Sequence, residues 1–183
     1  MTHHIAHPNH AFEMRQTYLG ATPHTLFTAI IWATAGLLGD FVSKSYAIVF
    51  FIVGGTFIFA GGELLRKLMR APKAVTPGNR LPQFFTLLAF TVPLSYPLIY
   101  LITRSNIDHF FASFMVLIGA HYLPFVYGYG MKTFGVLSVL LVGLGTYFGM
   151  FSVVSFSKPA YFTAGLLLIF AAIHYHHVKK EIV

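Results

Sequence analysis

Residues 49–67, VFFIVGGTFIFAGGELLRK, form a long apolar run that ends in the basic pair Arg66 and Lys67. A bilayer core of about 30 Å requires about 20 mostly apolar residues in a helix that crosses it. The whole chain of 183 residues shares this character, since 56% of its residues are hydrophobic and only 9% are charged. Soluble domains typically carry about 25% charged residues. The composition therefore predicts an integral membrane protein.

The same length criterion, applied along the whole chain, predicts six membrane-spanning helices joined mostly by short connections. They are residues 25–41, 46–65, 82–103, 109–128, 133–155 and 160–177. Short connections make consecutive helices antiparallel, so the expected fold class is an all-α integral membrane bundle of three hairpins. The transmembrane domain is then residues 25–178, preceded by an N-terminal tail and juxtamembrane segment (1–24) and followed by a C-terminal tail (179–183).

Lysine and arginine are distributed unevenly between the two ends of these predicted helices. Nine fall on the side of the two termini, and five of these nine lie in the connection 66–80. The other side holds Lys44, Arg104 and Lys158. Because cytoplasmic loops are enriched in basic residues, both termini and the basic loop 66–80 are expected in the cytoplasm. Topology and contact with anionic lipid headgroups account for the net charge of +7, so nucleic acid is not an expected partner.

Two blocks of the sequence resemble a known family. Residues 14–37, MRQTYLGATPHTLFTAIIWATAGL, and residues 119–131, GAHYLPFVYGYGM, resemble the characteristic blocks of a family of six-pass bacterial membrane proteins of unknown function. The resemblance covers most of residues 13–150. More loosely, the repeated hairpins are similar to those of small acid-resistance membrane proteins. The resemblance implies this fold and a bacterial inner membrane, and it implies no chemistry.

His121 lies inside the predicted span 109–128, in the stretch LIGAHYLPFVYGYGMK. Ionisable residues at membrane depth are rare and are candidates for function by default. Pro124 removes a backbone donor three residues later, which is expected to leave the carbonyl of Ala120 without its helical partner. A purely structural histidine, bonded to a hydroxyl of the neighbouring span, is the alternative interpretation. The candidate partners are Tyr96, Tyr100, Thr91 and Ser95.

The predicted span 82–103 is interrupted in a similar way by Pro93 and Pro97, in TVPLSYPLIY. Two adjacent antiparallel helices with interrupted hydrogen-bond ladders indicate a binding site near the membrane midplane. The residues expected to bind a substrate there are His121, Tyr96, Tyr100, Pro93 and Pro124.

The other histidines cluster near the chain ends. His174 and His177 are three residues apart, so both can reach one metal ion from a single helix face. The tail histidines His3, His4, His7 and His10 are expected on the same side of the membrane. Interfacial residues and a solvated tail are the alternative. The chain has no cysteine, no HExxH motif and no acidic cluster, so we expect no catalytic residue, no enzyme activity and no cofactor.

Glycines at regular spacing indicate close helix packing. Gly54 and Gly55 recur seven residues later as Gly61 and Gly62, and Gly145 and Gly149 form a GxxxG pattern. Small residues at these spacings let helix backbones approach closely, within one bundle or between copies. Glu63 precedes Arg66 and Lys67 by three and four residues, which is the spacing of same-face ion pairs on a helix.

These features favour three functions, in decreasing order. The first is a transporter or channel subunit for a neutral or weakly polar solute, acting as a homodimer or a higher oligomer in the lipid bilayer. The second is a non-enzymatic component of membrane assembly or stress resistance. The third is a lipid-modifying or metal-binding membrane protein.

Overall fold

Helices make up all the regular structure in the residues that the computed structural model describes, which are 10–71, 75–151 and 156–182. The all-α class is therefore confirmed for this part of the chain. In chain order the helices are α1 (His10–Thr17), α2 (Thr22–Phe41), α3 (Lys44–Thr56), α4 (Ile58–Leu68), α5 (Leu81–Leu94), α6 (Tyr96–Thr103), a 3₁₀ turn (Ile107–His109), α7 (Phe110–Tyr122), α8 (Phe125–Tyr129), α9 (Thr133–Met150) and α10 (Lys158–Ile182).

Three helical segments are long and apolar enough to cross a membrane. They are Leu81–Thr103, which is α5 followed by α6, Thr133–Met150 and Lys158–Glu181. α3 and α4 together make a fourth, bent by 60° at Phe57. The described residues therefore support three or four candidate spans where the sequence predicted six.

The predicted spans 25–41 and 109–128 are the two that the structure does not support. α2 has 20 residues, but its threonines, His24 and Asp40 lower its mean hydropathy. α7 has 13 residues, which cover about 20 Å of the roughly 30 Å of a bilayer core. The chain then breaks and continues as α8 for only 5 residues.

The core is built around α2, which packs against α3, α4 and α10, while α7 packs against α9. Aromatic rings connect α2, α3 and α7. Trp32 of α2 meets Phe51 of α3 edge to face at 4.7 Å between ring centroids, and Phe51 meets Phe114 of α7 at 4.9 Å. Edge-to-face pairs at this separation add about 0.5–1.5 kcal/mol beyond the burial of their area.

Glycines let the helices approach one another, as the sequence predicted. A Cβ atom on Gly145 of α9 would lie 2.9 Å from the backbone nitrogen of Val116 in α7. A Cβ atom on Gly62 of α4 would lie 2.2 Å from the ring of His24 in α2. Both positions therefore belong to interfaces within a single chain.

The segment formed by α5 and α6 lies at the edge of the bundle. Only 6% of its most apolar stretch is buried, and α5 has no buried residue. Its outward face carries large apolar side chains such as Phe90, Leu94 and Leu98. Large apolar side chains exposed along a whole helical segment require contact with lipid or with a partner protein.

α1 lies across one end of the bundle and is held there by two charged side chains. Arg15 Nε lies 2.8 Å from Glu181 Oε2 of α10, and Arg15 Nη1 donates to the carbonyl oxygen of Tyr129 at 3.0 Å. Glu13 accepts hydrogen bonds from the amide and the hydroxyl of Thr76 and, at 2.8 Å, from Asn79 Nδ2. These contacts join α1 to α8, α10 and the connection before α5.

The attachment of α1 to that connection should weaken at low pH because of Glu13. Desolvation alone would raise the pKa of this carboxyl, but the hydrogen bonds from Thr76 and Asn79 outweigh it, so the pKa lies below its ordinary value. A carboxylate with a lowered folded-state pKa stabilises the folded state above its unfolded pKa, and this contribution disappears as pH falls through the folded pKa. As pH falls below the ordinary pKa of 4.5, the Thr76 amide should therefore lose protection from hydrogen exchange, after correction for the intrinsic rate.

Glu13→Gln is the control for this pH dependence. Its side chain cannot ionise, so the Thr76 amide should be less protected than in wild type at neutral pH and should show no further loss on acidification. Equal protection of the two proteins at neutral pH would contradict the assignment.

Candidate functional site

Three interrupted helices meet on one side of the bundle. The α3–α4 pair bends at Phe57, α5 ends at Leu94 before α6 begins at Tyr96, and α7 ends at Tyr122 before α8. α7 contacts both α5 and α6, and the end of α3 approaches α6 through Gly55. The three interrupted helices are therefore neighbours in the bundle.

Local sequence explains each break. Gly54 and Gly55 weaken the end of α3, where the amide of Phe57 closes a tight turn by donating to the carbonyl of Gly54 at 3.0 Å. Pro97 has no amide hydrogen to continue the ladder from α5, and Pro124 likewise cannot continue α7.

The carbonyl of Ala120 has no helical partner in Pro124, but it finds another donor. It accepts a hydrogen bond from the amide of Leu123 at 3.2 Å. The last turn of α7 tightens into a 3₁₀-type bond, which is a common way to satisfy the carbonyls at a helix end. The break therefore exposes side chains and does not expose this backbone group.

The polar side chains between the breaks form what we call the polar seam, defined by Thr91, Ser95, Tyr96 and His121. His121 Nδ1 lies 3.5 Å from Thr91 Oγ1, at the limit of a hydrogen bond. The Tyr96 ring packs against Phe114, with ring centroids 5.8 Å apart. Its hydroxyl oxygen lies 3.8 Å from the position that a Cβ on Gly55 would take. The seam thus runs from α7 across α5 and α6 to the end of α3.

The contacts of Thr91 favour one tautomer of His121. Thr91 donates its only hydroxyl hydrogen to the carbonyl of Leu88 at 2.6 Å, so its oxygen is left to accept from His121. A hydrogen bond between the two residues then needs the proton on Nδ1 of His121, and this tautomer leaves Nε2 as an acceptor. Within the described residues neither this nitrogen nor the Tyr96 hydroxyl has a hydrogen-bond partner. The seam therefore offers one free acceptor and one free hydroxyl.

The structure brings together some of the residues predicted to bind a substrate and separates others. His121 and Tyr96 are half-buried members of the seam. Pro93 lies beside the break between α5 and α6, and Pro124 lies at the break between α7 and α8. Tyr100 does not join them, because 67% of its surface is exposed on the outside of α6.

His174 and His177 have different surroundings although they share α10. His174 is fully buried, its ring centroid lies 4.1 Å from that of Phe134, and neither ring nitrogen has a partner among the described residues. His177 is exposed, and its Nε2 lies 3.4 Å from Glu181 Oε1. In residues 10–71, 75–151 and 156–182 no three histidine or acidic side chains form a metal-binding group. A shared metal at these two histidines stays a prediction, and His3, His4 and His7 lie outside the described residues.

A charge cluster that the sequence did not fully predict joins α2 to α4. The predicted pair is confirmed, since Arg66 Nη2 lies 2.8 Å from Glu63 Oε2. His24 is the unforeseen member, with its Nε2 3.7 Å from Glu63 Oε1. Arg66 also lies over the ring of Tyr18 at 5.6 Å. In the sequence, the feature that relates to this contact is Gly62, because its lack of a side chain leaves room for the ring of His24. Because Glu63 and Arg66 already neutralise each other, we interpret this cluster as a structural contact between α2 and α4 and not as a solute site.

Comparison with known proteins gives a family and no relative of known function. A family model described as a family of unknown function, DUF7010, matches residues 12–177. No curated protein and no solved structure matches the chain. The match agrees with the resemblance noted from the sequence to a family without an assigned function, and it does not bear on the number of spans. Because the matched residues cover most of its length, the chain belongs to the DUF7010 family.

Proposed function

We propose that the chain is a membrane-embedded transporter or channel subunit through which a small neutral solute passes along the polar seam. This proposal rests on one observation. Three interrupted helices pack around His121 and Tyr96, whose side chains have free hydrogen-bonding groups. Interrupted helices in pairs are the usual construction of solute sites in membrane transporters.

The exposed surface supports insertion into a bilayer. The segment Leu81–Thr103 presents almost all of its apolar surface outward, and α9 and α10 are also long enough to span. Contacts of α1 with Thr76 and Glu181 bring the N-terminal segment, the connection before α5 and the C-terminal end of α10 to the same end of the bundle. We propose that this basic end faces the cytoplasm and that the protein lies in a bacterial inner membrane, because cytoplasmic segments are enriched in lysine and arginine.

The chemistry of the seam favours a neutral solute. Nε2 of His121 accepts a hydrogen bond, and the Tyr96 hydroxyl can donate or accept one. The seam contains no carboxylate and no lysine or arginine, so it offers nothing to balance the charge of an ion. A hydroxyl-bearing or amide-bearing solute such as glycerol or urea matches these groups. The proposal includes no chemical step and therefore no enzyme activity.

The position of the seam favours an oligomer. α5 and α6 form one wall of the seam, yet they lie at the edge of the bundle with little burial. A pathway at the edge of a small bundle is enclosed only when a second copy covers it, so we propose a homodimer or a higher oligomer.

Stopped-flow light scattering from vesicles that contain the purified protein tests this proposal with glycerol and urea as solutes. The wild-type protein should speed vesicle reswelling relative to empty vesicles for at least one of the two. Tyr96→Phe and His121→Ala should each reduce the protein-dependent rate about tenfold, which corresponds to about 1.4 kcal/mol for a lost hydrogen bond.

Tyr100→Phe is the matched control, because it removes the same hydroxyl from the outer side of the same helix, away from the seam. It should leave the rate unchanged. The proposal fails if wild-type vesicles behave like empty ones with both solutes, or if the two tyrosine variants have the same effect.

A further inference from the structure

A shallow groove runs along the outer face of α10. The half of the groove nearer the middle of α10 is apolar, and the half nearer its C-terminal end is polar. The lining residues are Ile169, Ala172 and Ile173, followed by His176, His177 and Lys180. They recur every three or four residues, so they share one face of the helix.

We propose that this groove binds one anionic phospholipid, with an acyl chain along Ile169 and Ile173 and the phosphate at His176 and Lys180. The proposal rests on the membrane insertion proposed above, but it does not depend on the solute pathway, because α10 is not part of the polar seam.

The length of the groove fits one leaflet of a bilayer. Ile169 and Lys180 are eleven residues apart, which is about 16 Å along a helix axis. Half of a bilayer core is about 15 Å thick. With Lys180 at the cytoplasmic headgroup level, Ile169 therefore lies near the end of an acyl chain in the same leaflet.

The charge at the polar end of the groove fits a phosphate. Glu181 is the carboxylate on this last turn, and its charge is offset by Arg15 at 2.8 Å. Lys180 is exposed and makes no ion pair within the described residues. Lys179 stands beside it, with its nitrogen 5.5 Å from the ring of Tyr175. Each basic side chain near the membrane surface attracts anionic lipid by about 1 kcal/mol, and the apolar half of the groove distinguishes a lipid from a free anion.

Native mass spectrometry of the full chain in detergent tests the proposal with phosphatidylglycerol, phosphatidylcholine and glycerol 3-phosphate as probes. Phosphatidylglycerol should bind at least fivefold more tightly than phosphatidylcholine. Lys180→Ala should weaken phosphatidylglycerol binding about fivefold, as expected for one basic side chain near an anionic surface. Lys158→Ala, at the opposite end of the same helix, is the matched control and should leave binding unchanged.

Two results would overturn the proposal. One is equal binding of the two phospholipids or equal effects of the two lysine variants. The other is displacement of phosphatidylglycerol by glycerol 3-phosphate at comparable concentration, which would mean that the site recognises the phosphate group without the acyl chains. Lys180→Ala should leave the solute flux of vesicles unchanged, so a failure of lipid binding and a failure of the polar seam are separable.

Discussion

Gly145→Ala should destabilise the folded protein, whereas Gly143→Ala, two residues earlier on the same helix, should stabilise it slightly. A Cβ on Gly145 would lie 2.8 Å from Val116 Cγ2, 2.9 Å from the Val116 backbone nitrogen and 3.0 Å from the carbonyl oxygen of Ala112. Two of these three atoms belong to the backbone of α7, so a side-chain rotation cannot relieve the clash. Overpacking of this kind costs about 1–3 kcal/mol.

A Cβ on Gly143 would meet no atom of the described residues within 4 Å, so the same methyl group has open space there. Alanine is a better helix former than glycine by up to about 1 kcal/mol, which gives the opposite sign. The free energy of unfolding of both variants in one detergent, from denaturant titration, measures the difference. If both variants shift stability in the same direction, α7 and α9 do not cross closely at Gly145.

The helical class and the close-packed glycines could be predicted from the sequence because both are local properties. Apolar composition and residue spacing along one helix carry that information directly. The number of spans could not be predicted in the same way. The length criterion counts apolar residues and does not detect that α7 stops before Pro124, or that polar residues such as His24 and Asp40 lie near the two ends of α2.

The candidate site could be predicted in part. A hydroxyl partner for His121 on the neighbouring helix was predicted, but the sequence offered four such hydroxyls and did not single out Thr91. The difference between Tyr96 and Tyr100 could not be predicted. Residues four positions apart share one face of a helix, and only the packing of α7 and α3 covers Tyr96 and leaves Tyr100 exposed.

Contacts between distant parts of the chain could not be predicted, because no local pattern records them. Asp108 lies 2.5 Å from Lys44 Nζ, although the two residues are 64 positions apart in the sequence. Arg15 and Glu181 are separated by 166 positions and still form an ion pair. Only the arrangement of the helices brings such residues together.

Arg15→Ala should cause the largest loss of stability among single charge removals in this chain, about 3 kcal/mol. The side chain joins α1 to Glu181 of α10 and to the carbonyls of Tyr129 and Gly130, and it is only 14% exposed. Removing Arg15 leaves two carbonyls without this donor and leaves the Glu181 carboxylate with the exposed His177 at 3.4 Å. Arg104→Ala is the control, because Arg104 is exposed, and it should change stability by less than about 0.5 kcal/mol.

A second substitution distinguishes the charge of Arg15 from its packing. If the cost of Arg15→Ala comes mainly from the uncompensated carboxylate, then Glu181→Gln in the same chain removes that charge and should recover about half of the loss. If the cost comes from the carbonyls of Tyr129 and Gly130, the double variant should be as unstable as Arg15→Ala alone. Unfolding free energies of the two single variants and the double variant decide between these outcomes. Recovery would show that α1 is held to the bundle by charge, as the 2.8 Å contact to Glu181 predicts.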